Sequence, residues 1–251
     1  MAHLDNPAGR LEDFLRHLKV ANAGMSSKDA VTSILGAAND AEFAHAFGNL
    51  LLLPQQAEDA LRKVAEQDEH DDPDWYLQWR PAINQTLSQL WAFTSAVKST
   101  QDHYSDADLM NLGACSNLLH RAHLEPELPW SQIDELRQHT REFEEAIHEA
   151  SLPEPVKRFL LEQVDRINEA LRECRLRGVA AFEEAFDAAI GASWRLSRNP
   201  EVDTSAAPVK PMMEKLKGLL AQIQMMVTIA TGVAELPAKA DASLTAILPG
   251  A

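Results

Sequence analysis

The chain has 251 residues, 45% of them apolar and 24% charged. It is long enough to bury a sizeable core and too apolar to be disordered throughout. Its formal net charge of −15 is uneven: residues 1–150 hold 11 Lys and Arg against 25 Asp and Glu, and residues 151–251 hold 12 against 13. An acidic first half repels a phosphate backbone and argues against a nucleic-acid partner.

The first predicted helix opens at Asn6-Pro7, a cap followed by a proline at the first helical position, and carries the stripe Leu11, Phe14, Leu15 and Leu18. Ser26 and Asp29 read as a capping box for a short helix with Val31, Ile34 and Leu35. Asn39 or Asp40 starts a third, facing Phe43, Phe47 and Leu50 inward. Pro54 is expected to end it, with a fourth helix carrying Ala57, Leu61 and Val64. After the acidic connector 68–74, Asp72-Pro73 starts a helix with Trp75 and Trp79 one turn apart, and Pro81 kinks or restarts it before Ile83, Leu87 and Leu90. From Trp91 to Tyr104 the pattern blurs and allows a short strand, though no partner strand can be found for it. Residues 106–123 are helical through Leu109, Leu112, Cys115 and Leu119. Ser131 and Asp134 read as a capping box for a helix with Ile133, Leu136, Thr140, Phe143 and Ile147.

The longest periodic run is 152–191. Leu160, Val164, Ile167, Leu171 and Cys174 recur at helical steps, and after Gly178 a second stripe passes through Val179, Phe182, Phe186 and Ile190. Residues 197–211 are polar and interrupted by proline, a linker pattern. An apolar helix is then expected over 212–235, with a short last helix ending near Leu248. The expected fold is therefore all-α, an irregular bundle of about nine to eleven helices. Its expected division is a core at 1–199, a linker at 200–211 and a C-terminal apolar segment at 212–251, which could also pack into the core.

Motifs for catalysis or cofactors are missing: there is no Walker A, no G-x-G-x-x-G, no G-x-S-x-G around Ser116 or Ser193, and no C-x-x-C. Two Glu-x-x-His motifs, Glu42 to His45 and Glu145 to His148, have the spacing of di-iron ligands. Both point away from the apolar stripe: His45 lies about 200° around the helix from Phe43, at 100° per residue. They read as solvated faces. His120 and His123 share a helix face, yet no carboxylate or cysteine partner lies near them in sequence, so a surface or capping role is expected. His103 and Tyr104 have no identifiable catalytic partner. Cys115 and Cys174 each fall on an apolar face and read as reduced core thiols of a cytosolic protein. No catalytic residue, metal ligand or cofactor is assigned.

Two stretches remain. Arg172, Arg175, Arg177 and Arg195 crowd neighbouring helix ends. They read first as internal salt links to the acidic first half, and second as an anion site. From Gly218 to Ala234 there is no charge; Leu219, Leu220, Ile223, Met226, Val227, Ile229 and Val233 leave only a narrow polar strip. Such a helix is core, a self-association surface, or a segment that inserts reversibly into a membrane, in that order. The expected function is a non-enzymatic cytoplasmic interaction protein, a homo-oligomer or a subunit of a bacterial complex, working by helix–helix contact with itself or another protein. The alternative is a membrane-acting effector, a toxin or antiviral defence component, using the C-terminal helix. An alanine- and arginine-rich composition fits a GC-rich bacterial genome.

Overall fold

The structure, a computed structural model, describes residues 3–66, 72–123, 125, 127, 128, 130–199, 203 and 206–231. Eleven helices occur among them: α1 (Pro7–Val20), α2 (Ser27–Leu35), α3 (Asp40–Ala65), α4 (Pro73–Tyr76), α5 (Arg80–Leu90), α6 (Val97–Gln101), α7 (Asp106–Arg121), α8 (Trp130–Glu149), α9 (Glu154–Arg177), α10 (Ala180–Ser197) and α11 (Lys210–Thr231). The fold is all-α, as the periodicity implies. The last helix expected near Leu248 lies outside the described residues.

Local chemistry sets most helix starts. Asn6 Oδ1 accepts from the Gly9 amide at 2.9 Å, Ser26 Oγ from the Asp29 amide at 3.1 Å, and Asn39 Oδ1 from the amides of Ala41 and Glu42. Ser105 and Asp108 close a reciprocal capping box at the head of α7. Gly178, at φ +61°, ends α9 in the left-handed conformation that glycine adopts without strain.

Four expectations are corrected. Helix α3 runs unbroken through Pro54; the lost amide bond is offset by a buried stripe spanning both sides of it, from Phe43 and Phe47 through Leu50, Leu53 and Ala57 to Leu61 and Val64. Helix α8 already begins at Trp130, so Ser131 sits inside its first turn and Asp134 accepts from Arg137 instead. The buried stripe of α10 is Phe182, Ala185, Ala189 and Ala192, while Phe186 and Ile190 are only half-buried beside it. The blurred stretch after Trp91 is not a strand. It makes one antiparallel bridge, Ala96 to Ser26, flanked by the Ser27 amide donating to Ser95 O at 2.8 Å and the Val97 amide donating to Met25 O at 2.9 Å.

The chain divides into two compact units. The first is Met1–Pro126 with Arg175–Gly178, and the second is Glu127–Cys174 with Val179–Ala251. This differs from a boundary at 200–211: Val209, at the end of the expected linker, is fully buried, and α11 packs on α8 and α10 inside the second unit.

In the first unit α1 is the central helix, packed against α3 and α7. Leu11, Phe14, Leu15 and Leu18 are buried among Leu50, Leu53 and Leu61 of α3, Leu112, Cys115 and Leu119 of α7, and Trp79. The approach of α1 to α7 depends on small residues. A Cβ on Gly9 would lie 1.8 Å from the His3 carbonyl oxygen and 2.7 Å from Ser116 Oγ, and one on Gly113 would lie 3.1 Å from Glu12 Oε1. In the second unit the core joins the stripes of α8, α9, α10 and α11. The alanines of α10 keep its face flat.

Candidate functional site

The most unusual side-chain cluster lies in the first unit, where the segment before α1 meets the end of α7. Asn6 caps α1, and this places Asp5 and His3 over the last turns of α7. The Asp5 carboxylate is buried, its side chain 3% exposed. One oxygen accepts from Asn6 Nδ2 at 3.0 Å, and that amide also donates to Ser116 O at 3.2 Å. The other lies 2.5 Å from His120 Nδ1. An ionised carboxylate can only accept, so His120 Nδ1–H donates. The His3 ring stacks on that of His120 with centroids 3.8 Å apart and planes 14° from parallel. His3 Nε2 donates to Asn117 Oδ1 at 2.9 Å, which leaves Nδ1 as its acceptor. His123 follows one turn on, its ring centroid 6.0 Å from that of His120.

A second tie holds the same segment. Arg10, 3% exposed, grips Glu125 with both terminal nitrogens at 2.6 and 3.1 Å and donates to Leu4 O at 3.2 Å. Gly178 passes over this pair, where a Cβ would sit 2.8 Å from Arg10 Nη1. The chain before α1 is thus fixed by a carboxylate–imidazole bond and by a forked guanidinium pair. Two imidazoles and a carboxylate are a donor set able to hold protons or a divalent transition metal.

The first unit also carries an aromatic surface. Trp91 follows the last turn of α5 and is 61% exposed. It packs by one side on Phe47 at 5.7 Å and Phe93 at 5.8 Å, and Phe93 meets Phe43 and Phe47 edge-on at 5.5 Å each. Phe93 takes φ +48°, a left-handed conformation uncommon for a bulky residue. The turn is fixed there by the Phe93 amide donating to Leu90 O at 3.1 Å and the Lys28 amide donating to Phe93 O at 3.1 Å. Lys28 lies over the Phe43 ring and bonds Asp40 at 2.7 Å, and that hydrogen bond holds the Asp40 carboxyl below its ordinary value.

Each residue singled out in the sequence now has a place. Of the apolar set on α11, Leu219, Leu220, Ile223, Met226 and Val227 are buried in the second unit's own core. The side chain of Ile229, and Val233 altogether, lie outside the described residues. The surface these residues were expected to offer is therefore covered within the chain, at least through Val227. Among the described residues no helix is long and apolar enough to cross a membrane. Arg172, Arg175 and Arg177 lie in the last turns of α9 and Arg195 in the last turn of α10; Arg175 and Arg177 are counted with the first unit, Arg172 and Arg195 with the second. Arg175 makes the expected kind of internal link, donating to Asp13 Oδ2 at 3.0 Å.

Both Glu-x-x-His motifs lie on the outer side of their helices, with His45, Glu145 and His148 exposed. Cys115 and Cys174 are buried free thiols, and burial pushes that of Cys115 up to about 12, the Trp79 side chain opposing weakly. Tyr104 is buried, donates to Leu15 O at 2.8 Å, and has its hydroxyl pushed upward by that burial and then by Asp106. In the second unit a cavity of 290 Å³ lies between α8 and α11, where His139 is hydrogen-bonded to Gln222 and Glu142 and Lys215 line the wall.

The sequence reading found His120 and His123 but not their partners. His3 and Asp5 lie 115 or more residues away, and their only local signal is their place directly before the Asn6-Pro7 helix start. Comparison with family models, with curated proteins and with solved structures found no match for this chain.

Proposed function

We propose that the chain is a non-enzymatic helical interaction protein that docks a partner protein on the aromatic surface around Trp91. The observation that supports this is Trp91 itself. A tryptophan 61% exposed, backed by three phenylalanines on a turn fixed by backbone bonds, is the kind of rigid anchor that dominates interface energies. The partner's chemistry follows from charge. The unit that carries Trp91 holds 18 acidic against 11 basic side chains, so a partner with an apolar pocket and a basic rim is favoured over an acidic one. Self-association is disfavoured by the same charge, because a two-fold contact sets identical acidic surfaces face to face.

A photo-crosslinking side chain placed at position 91, and as a control at the 47%-exposed Trp194 of the second unit, tests the reading in native extract. The expected result is a discrete adduct from position 91 alone, formed less at high salt. Trp91→Ala should weaken binding of the protein so identified by about 2 kcal/mol, roughly 30-fold, the usual size for an aromatic anchor. Identical adducts from both positions, or none from position 91, would overturn it. Light scattering that finds a dimer abolished by Trp91→Ala would put a second copy of the chain in place of the basic partner.

A further inference from the structure

We propose that His3, Asp5 and His120 form a binding site for a divalent transition-metal ion of zinc's class. One ring nitrogen from each histidine and one carboxylate oxygen of Asp5 lie within 4.8 Å of one another, and an ion seated between His120 Nδ1 and Asp5 Oδ2 would replace the proton that joins them in the metal-free protein. Zinc holds such donors at about 2.0–2.2 Å, which sets them roughly 3.3 Å apart in a tetrahedron, so the cluster reaches that geometry by side-chain adjustments on the order of 1 Å. His3 stands on a non-helical segment and is only half-buried, so a small turn of its ring about the Asn117 bond supplies most of this.

The donor types select the metal. Two imidazoles with one carboxylate suit zinc, cobalt, nickel or copper, whereas calcium and magnesium favour oxygen-only sets with more ligands. The neighbouring groups are those a metal site needs. His3 Nε2–H is held by Asn117 Oδ1 at 2.9 Å, which fixes the tautomer that presents Nδ1 as a lone pair. The second Asp5 oxygen is held by Asn6 Nδ2 at 3.0 Å, and Asn6 is itself anchored to Ser116 O at 3.2 Å and to the Gly9 amide at 2.9 Å. Asp5 is thereby oriented by the helix cap.

Two features of the cluster go beyond what packing alone asks of it. The first is a carboxylate buried to 3% exposure, close to an imidazole pair. The second is the stacking of two imidazole rings, with centroids 3.8 Å apart and planes 14° from parallel, which sets a nitrogen of each near the Asp5 carboxylate. The ligands come from two places 115 residues apart in the chain, so the ion would fasten the segment before α1 to the end of α7. This makes it a structural clasp, in the sense that metal binding and local folding are one equilibrium.

The alternative is that the Asp5–His120 hydrogen bond is complete by itself and His3 merely covers it. Zinc titration of the full chain after chelator treatment, in competition with a chromophoric chelator, separates the two. The expected result is one zinc per chain and a melting temperature that rises with zinc. His3→Ala should weaken zinc binding at least tenfold while leaving the zinc-free melting curve close to the parent's, and Asp5→Asn should weaken binding as well. His148→Ala, which changes an exposed histidine of the second unit, should leave zinc binding unchanged. Cobalt in place of zinc should give the visible absorption of a tetrahedral nitrogen–oxygen site, lost in His3→Ala. Zinc uptake that His3→Ala leaves unchanged, or a full chain that neither takes up zinc nor melts differently with it, overturns the proposal.

Discussion

Replacing Leu220 by alanine should destabilise the second unit by about 3 kcal/mol, within the range of 2–5 kcal/mol for buried leucines. Leu220 is fully buried, one turn from Leu216 and Ile223, which are fully buried too, in a core shared by α8, α9, α10 and α11. Neighbours held on four helices cannot close over a missing isobutyl group, so the cavity cost adds to the lost burial. Met225 on the same helix is 52% exposed, and Met225→Ala should change stability by less than about 0.5 kcal/mol. With urea slopes of about 1–3 kcal/mol per molar, the Leu220 variant should unfold at a midpoint lower by about 1–3 M. Urea titration followed by far-ultraviolet circular dichroism reads this directly. If α11 were instead a detachable surface for self-association or membrane insertion, Leu220→Ala would leave unfolding unchanged and alter only assembly or lipid binding. Equal effects of the two substitutions on the midpoint would refute the core assignment.

Ending the chain at Ser205 removes α11 and exposes the apolar faces of α8 and α10, so the shortened protein should aggregate; a soluble, cooperatively melting product in light scattering and calorimetry would show that the second unit does not need the helix. Gly9→Ala places a Cβ 1.8 Å from the His3 carbonyl and should cost about 2 kcal/mol or more in melting stability, because backbone rather than a flexible side chain must move; a variant as stable as the parent would contradict the close approach of this segment to α1. Stability should also fall in alkali. Cys115 is raised from 9.0 to about 12 by burial and Tyr104 is raised from 10.0, so below pH 9 both states keep these protons. Above that the unfolded chain ionises first, removing about 1 kcal/mol per pH unit for each group until the folded-state value is reached. Cys115→Ala should flatten part of that slope, and native Cys115 should resist alkylation at pH 8 that proceeds once the chain is unfolded.

What could be read from the sequence was what neighbours along the chain decide. Asn6, Ser26, Asn39 and Gly178 announce helix ends because a cap involves residues at most a few positions apart, and all four act as their types imply. The stripe on α9 was legible for the same reason. Pro54 misleads because its local cost is set against burial supplied by other helices, which no window around residue 54 contains. In α10 the larger residues Phe186 and Ile190 suggested the core face, yet close packing favoured the alanine face beside them. The fate of α11 was open in the sequence because a helix apolar on most sides looks the same under other helices, between subunits or in lipid. The His3–Asp5–His120 cluster is the extreme case. Each member is unremarkable where it stands, and only the return of α7 to the start of α1 brings them within bonding distance.

Backbone conformation ties the two proposed sites to the fold. Among the described residues, the non-glycine positions with positive φ are Phe93 at 48° and His123 at 49°. One sits at the aromatic surface and the other beside the imidazole pair. Strain of this kind persists where surrounding structure holds it, and it gathers at binding sites. His123 gives the cleaner test because its side chain is exposed and loses little packing when changed. Asparagine adopts the left-handed region more readily than histidine does. His123→Asn should therefore melt at the same temperature as the parent or slightly above it in the absence of zinc, by a few tenths of a kcal/mol. With zinc present the order should be kept, because the His123 ring is not one of the three clustered donors. A His123→Asn chain less stable than the parent without any metal would show that the ring is retained for its contact with His120.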